Sequence, residues 1–292
     1  MQEKPILAMM YDFDKTLSPK DMQEYGFIPG IKMQAADFWE KCSRTMKENN
    51  MDAILAYMFV MCQEAKGKML FTRDTLRALG RDVILFKGVE TWFNRINKYA
   101  EKNGMQAKHY IISSGLKEII EGTVIAESFE KIYAAEFCYD GHGEPCWPAM
   151  AVNFTSKTQF LFRINKGVPE VTDNDALNEY MPEDKRAVPF RNMIYIGDGL
   201  TDVPCMKLVR TNGGHSIAVY DENREKVNEL ILQGRVDLTL PADYSRGSAL
   251  ESAVFSIIDL VSAKNKTVSL HMDCLEKAER ESREGSFREP SI

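Results

Sequence analysis

Three short apolar runs punctuate the chain, and each stops at a polar cluster. Ile6-Leu7-Ala8-Met9-Met10-Tyr11 ends at Asp12. Tyr110-Ile111-Ile112 runs into Ser113-Ser114-Gly115, and Met193-Ile194-Tyr195-Ile196 into Gly197-Asp198-Gly199. Continuous apolar runs of this length read as parallel strands buried on both faces. The segments that follow carry helical spacing: Leu116 to Glu130 after the second run, and Thr201 to Val209 after the third. Strands alternating with helices predict an α/β fold, a mostly parallel sheet with helices on both faces. Ligands of such sheets bind beyond the carboxyl ends of the strands, so the three polar clusters are expected to meet on one rim.

Between the first two runs, Pro19 to Phe86 shows helical periodicity, with apolar centres at Ala35–Trp39 and Ile54–Val60 and a third candidate at Thr72–Leu79. This reads as an inserted helical unit over residues 19–86, leaving 1–18 and 87–276 as the core. Glu90 to Lys102 predicts a helix that ends near Asn103-Gly104. Phe137 to Trp147 has turn residues between two short strand candidates and predicts a hairpin. Gly167 to Pro189 reads as a long loop with at most one short helix, and 277–292 as a charged, weakly packed tail.

Composition narrows the classes. The 292 residues are 44% hydrophobic and 27% charged with a formal net charge of -6, which fits a globular chain and lacks the basic footprint of a nucleic-acid binder. No membrane-length apolar run and no secretory signal stand out. Six scattered cysteines fit reduced thiols, so a cytoplasmic protein is expected, with no membrane association and no obligate protein partner evident.

Asp12 and Asp14 leave the first strand two residues apart, and two close carboxylates call for a divalent cation or a shared proton. Magnesium suits such oxygen donors. An isolated Asp-x-Asp is as readily a capping loop, but a second acidic cluster, Gly197-Asp198-Gly199-Leu200-Thr201-Asp202, follows another strand. Ser113, Ser114 and Gly115 offer a hydroxyl and backbone N–H groups suited to phosphate oxygens at a helix start. Lys157, ahead of the amphipathic run Phe160–Ile164, supplies a balancing positive charge, with Lys166 and Lys185 as rivals. Cys138, His142 and Cys146 match known zinc spacings poorly and are better explained by the hairpin.

Asp-x-Asp-x-Thr at Asp12–Thr16, a strand-end Ser113, Lys157 and Gly-Asp-Gly-x-Thr-Asp at Gly197–Asp202 occur in the order found in the haloacid dehalogenase superfamily. The chain resembles its phosphoserine-phosphatase-like branch, which has a helical cap inserted early. That resemblance implies a Rossmann-like core, residues 19–86 as the cap, and a Mg²⁺-dependent phosphomonoester hydrolase that forms an aspartyl-phosphate. It implies Asp12 as nucleophile and Asp14 as general acid and base. Mg²⁺ would be held by the Asp12 and Asp198 carboxylates and the Asp14 backbone carbonyl, with Asp202 in support and Thr16 shaping the loop. Ser113 and neighbouring N–H groups, with Lys157, would bind phosphate. The expected substrate is a small phosphorylated metabolite, because a cap excludes bulky partners. Glu24, Tyr25, Phe38, Trp39, Arg44 and Met46 are candidates for contact with the leaving group, although the phosphoserine-specific cap pattern is not recognisable. A phosphotransferase or phosphomutase using the same intermediate, or a non-catalytic binding protein on this scaffold, are the competing readings.

Overall fold

The first apolar run, β1 (Ile6–Tyr11), becomes the central strand of a seven-stranded sheet. The structure is a computed structural model that describes residues 4–199 and 201–286. The remaining strands are β2 (Gln106–Leu116), β3 (Lys131–Tyr139), β4 (Pro145–Met150), β5 (Met193–Gly197), β6 (His215–Tyr220) and β7 (Leu238–Pro241). Their order is β4-β3-β2-β1-β5-β6-β7, parallel throughout except for β4, which closes the expected hairpin onto β3. This is the α/β architecture the pattern predicts.

Strand β1 is buried on both faces because its alternate side chains enter two different cores. Leu7, Met9 and Tyr11 pack with Trp92 and Ile96 of α5 (Val89–Lys102) and Val254 and Ile258 of α11 (Ala249–Ser286). Ala8 and Met10 face the other core, with Phe160 and Ile164 of α7 (Lys157–Lys166), Val209 of α9 (Val203–Thr211) and Leu230 of α10 (Glu225–Leu232). Four helices lie between β1 and α5: α1 (Phe27–Gly30), α2 (Ala35–Asn49), α3 (Ala53–Ala65) and α4 (Arg73–Leu79). Asp52 caps α3 through Ile54 N–H and Leu55 N–H, and Thr72 forms a capping box with Thr75 at α4. The entry and exit of this segment meet where Phe86 N–H donates to Leu17 O at 2.9 Å.

Some expectations need correction. The predicted Leu116–Glu130 helix shrinks to α6 (Lys117–Glu121). It stops because Gly122 lies against α4 so closely that a Cβ there would sit 1.7 Å from Arg77 O. Ser113-Ser114-Gly115 belongs to the irregular end of β2 rather than to a helix start. The loop after α7 carries one short helix, α8 (Asn174–Asn178), and β7 had no clear pattern in advance. Of the charged tail, residues 277–286 continue α11 as helix, exposed as far as residue 283, while 287–292 lie outside the described residues. Among the described residues no helix is long and apolar enough to cross a membrane.

Candidate active site

The sheet order places β1 between β2 and β5, so the chain leaves β1 in one direction and later returns on its other side. Such a switch point opens a crevice at the carboxyl ends of the strands. Tyr11 is level with Ile111 of β2 and Ile196 of β5. Asp12 therefore emerges between Ser113 on one side and Asp198 on the other. Its amide donates to Ile196 O at 3.0 Å, which fixes the first residue of the loop to the sheet.

The Asp12 carboxylate is held at both oxygens. Oδ1 accepts from Phe13 N–H at 2.7 Å, and Oδ2 accepts from Lys157 Nζ at 2.9 Å. Lys157, at the first turn of α7, is fully buried and also donates to Asp202 Oδ1 at 2.7 Å. Burial opposes its charge, but Asp12 and Asp202 outweigh burial and hold the ammonium above its ordinary range. The rival lysines are elsewhere: Lys166 donates to the carbonyls of Leu177 and Glu179, and Lys185 is exposed.

One carboxylate oxygen each from Asp12, Asp198 and Asp202 lie within 4.8 Å of one another. Burial, then Asp202 and Asp12, push Asp198 up to about 8, and burial with Asp12 pushes Asp202 up to about 6. Asp202 Oδ2 is buried with no hydrogen-bond partner among the described residues. Three carboxylates around one ammonium leave an excess of negative charge, and an all-oxygen donor set suits a hard divalent cation such as Mg²⁺. Gly197 makes this packing feasible, because a Cβ there would sit 2.5 Å from Asp202 Oδ2.

Asp14 stands apart from that trio. Its Oδ1 accepts from Met22 N–H at 2.8 Å, and its Oδ2 would lie 3.0 Å from a Cβ at Gly115. Burial, followed by the charges of Asp21 and Asp12, raises its carboxyl well above the usual range. Ser113 is buried, but its Oγ accepts from Gly115 N–H at 3.1 Å, and Leu116 N–H is directed at Met22 Sδ at 3.2 Å. Two of the amides expected for phosphate are thus already engaged. Ser114 has a buried Oγ without a partner, while its carbonyl accepts from Tyr57 Oη at 2.8 Å. Thr16 is buried, and its carbonyl accepts from Tyr244 Oη at 2.9 Å.

Several residues at the site escaped sequence reasoning. Tyr195 on β5 donates to Asp202 Oδ1 at 2.8 Å, a contact hidden inside what reads as a plain apolar strand. Lys15 adopts φ 57°, uncommon for a residue with a side chain, and pairs with Asp21 at 2.7 Å. Met22, Gln23 and Tyr57 reach the site from the inserted segment. Their sequence contexts carry no motif.

The chain is similar to known proteins. Residues 9–207 match the family model of the haloacid dehalogenase-like hydrolases. An uncharacterized protein of Borreliella burgdorferi is 30% identical over 289 residues, covering 89% of this chain and 99% of that protein. A probable phosphoserine phosphatase from Vibrio cholerae superposes with a TM-score of 0.54 at 11% identity, over 90% of this chain and 67% of that one. A substrate-bound phosphoserine phosphatase gives 0.51 at 12% identity, over 81% of this chain and 93% of that one. These two structures share the fold. The family match spans the crevice from β1 to α9, and the chain belongs to the haloacid dehalogenase-like hydrolases.

Proposed function

We propose that the protein is a Mg²⁺-dependent phosphomonoester hydrolase with Asp12 as nucleophile. The observation that carries this reading is the fully buried Lys157 ammonium between Asp12 and Asp202, a fixed positive charge beside a carboxylate at the mouth of a switch-point crevice. One Asp12 oxygen forms a bond to phosphorus as the bond to the ester oxygen breaks, and Asp14 passes its proton to that departing oxygen. Water then attacks the phosphorus of the aspartyl-phosphate and gives a proton to Asp14. The bond to Asp12 breaks, releasing inorganic phosphate and restoring the carboxylate. Lys157 and the Ser113 hydroxyl hold phosphoryl oxygens during both steps. Mg²⁺, held by the Asp12 and Asp198 carboxylates and the Asp14 backbone carbonyl with Asp202 behind them, would neutralise charge on the phosphoryl group.

Residues 19–86 act in this reading as a cap over the core formed by 1–18 and 87–276. Their ties to the site, Met22 N–H to Asp14 and Tyr57 Oη to Ser114 O, support that role and favour a small phosphorylated metabolite. The phosphoserine phosphatases that share the fold support the same chemistry. Six unpaired cysteines support a cytoplasmic setting.

A phosphomonoester panel run with Mg²⁺ or with EDTA, beside Asp12→Asn, tests the proposal. Turnover should require Mg²⁺ and fall by about 10⁴-fold or more in the variant. Metal-independent turnover, or an active Asp12→Asn protein, would overturn it.

A further inference from the structure

A cavity of about 310 Å³ opens from the crevice, between the inserted helices and the core. Asp14, Ser114 and Gly115 from the proposed reaction centre line it, together with Trp39, Tyr57, Gln23 and Asp21. A phosphoryl group held at Asp12 and Lys157 would direct its ester substituent past Asp14 into this space. What lines the cavity therefore sets the chemistry of the leaving group.

No lysine or arginine among the described residues lines it, whereas two carboxylates do. Lys15, beside the lining residue Asp21, is already paired with both of its oxygens, at 2.8 and 2.7 Å. A leaving group that bears a carboxylate or a second phosphate would meet no counter-charge here, and burying an unpaired anion is strongly unfavourable. A cation meets no like charge in the lining, and it meets aromatic faces. The Trp39 and Tyr57 rings stand at 76° to one another with centroids 6.3 Å apart, forming an aromatic corner. Trp39 Nε1 donates to Glu24 Oε1 at 3.2 Å, which places a further negative charge behind the indole. Aromatic faces backed by carboxylates attract ammonium groups.

Gln23 supplies an independent observation. It is 2% exposed, its Oε1 is buried without a partner, and its carboxamide makes no hydrogen bond to any described residue. An unsatisfied buried amide costs stability in the free protein unless a ligand completes it. An unpaired carbonyl in a wall that also holds two rings and the apolar side chains of Met46 and Ile54 fits an N–H or O–H donor.

We infer that the cavity takes the leaving group of a small amino-alcohol phosphate, a compact cation without a carboxylate. This rests on the hydrolase reading above.

The test compares kcat/KM for phosphoethanolamine and phosphocholine with that for phosphoserine and glycerol 3-phosphate, in the Mg²⁺-loaded protein. The amine esters should exceed phosphoserine by about tenfold or more, chiefly through KM, with glycerol 3-phosphate between them. Gln23→Leu and Trp39→Leu should compress that ratio, and Ser43→Lys, which adds a cation to the same wall, should move it toward phosphoserine. Circular dichroism identifies which variants are folded. Phosphoserine or glycerol 3-phosphate matching the amine esters in the unaltered protein would overturn the leaving-group class while leaving the hydrolase reading intact. Folded Gln23→Leu and Trp39→Leu proteins with an unchanged ratio would do the same. Absence of turnover on every ester would remove the hydrolase reading and this inference with it.

Discussion

Tyr11 and Asp12 are adjacent in the chain, yet each belongs to a buried polar cluster of a different kind. Trp92 Nε1 donates to Tyr11 Oη at 2.9 Å, which leaves the hydroxyl proton for His109 Nδ1 at 3.0 Å. His109 Nε2 then carries the proton that meets Asn97 Oδ1, also at 3.0 Å. Each of these contacts is neutral and every donor has an acceptor. One residue later, Asp12 and Asp202 share the Lys157 ammonium with the Asp198 carboxylate close by, and Asp202 Oδ2 has no hydrogen-bond partner among the described residues. A completed neutral network holds a fold in place, whereas a charged, incomplete one is stable only with something added. Completeness, more than burial or polarity, separates these two neighbouring clusters.

The sharpest way to break that contrast is to remove the ammonium. Lys157→Met should lower Mg²⁺-dependent turnover by about 10²–10³-fold. In EDTA it should also cost about 3–5 kcal/mol of stability, because two carboxylates lose their buried counter-ion. Phosphate release and urea unfolding measure the two effects. Full activity would place the phosphate elsewhere, and unchanged stability would mean that the carboxylates had simply taken up protons.

Legibility in the sequence followed the same division. The buried strands announce themselves because both faces are apolar, so Ile6–Tyr11 and Met193–Ile196 read directly as β1 and β5. Asp12, Asp14 and Asp198 were visible because carboxylates directly after such strands are conspicuous. Lys157 was favoured only for its place before an amphipathic run, and its contact with Asp12 spans 145 residues, a separation no local pattern encodes. Tyr195 was invisible, since a tyrosine in a buried strand has the same signature whether or not its hydroxyl reaches Asp202. The length of α6 is illegible because its apolar spacing continues past Gly122, where the backbone packs directly against Arg77 O.

The neutral network makes a smaller prediction. Burial pushes His109 down to about 3, so the folded protein keeps it neutral while the unfolded chain takes up a proton below its ordinary 6.5. Stability from this histidine is therefore present above about 6.5 and is lost as the pH falls toward 3. His109→Leu should cost about 1–3 kcal/mol at pH 7 through the unpaired Tyr11 hydroxyl, with kcat retained. The difference from the unaltered protein should narrow at pH 5. Urea unfolding at the two pH values checks this, and an equal difference at both would mean that the imidazole titrates alike in both states.

The smallest expected effect concerns the charged cluster without its cation. Asp198 and Asp202 are held at about 8 and about 6, above the ordinary carboxylate value of 3.8, so the metal-free folded protein binds more protons than the unfolded chain between those limits. Metal-free stability should then decline as the pH rises from about 4 to about 8. A divalent cation replaces those protons, so its stabilisation should grow over the same window. Saturating Mg²⁺ should raise Tm by about 5 °C at pH 8 and clearly less at pH 5.5. Asp198→Asn should flatten that dependence, since it removes the carboxylate whose proton the cation displaces. An Mg²⁺ increment that is the same at both pH values, in a protein whose Asp198→Asn variant behaves identically, would show that the cation does not bind among these three carboxylates.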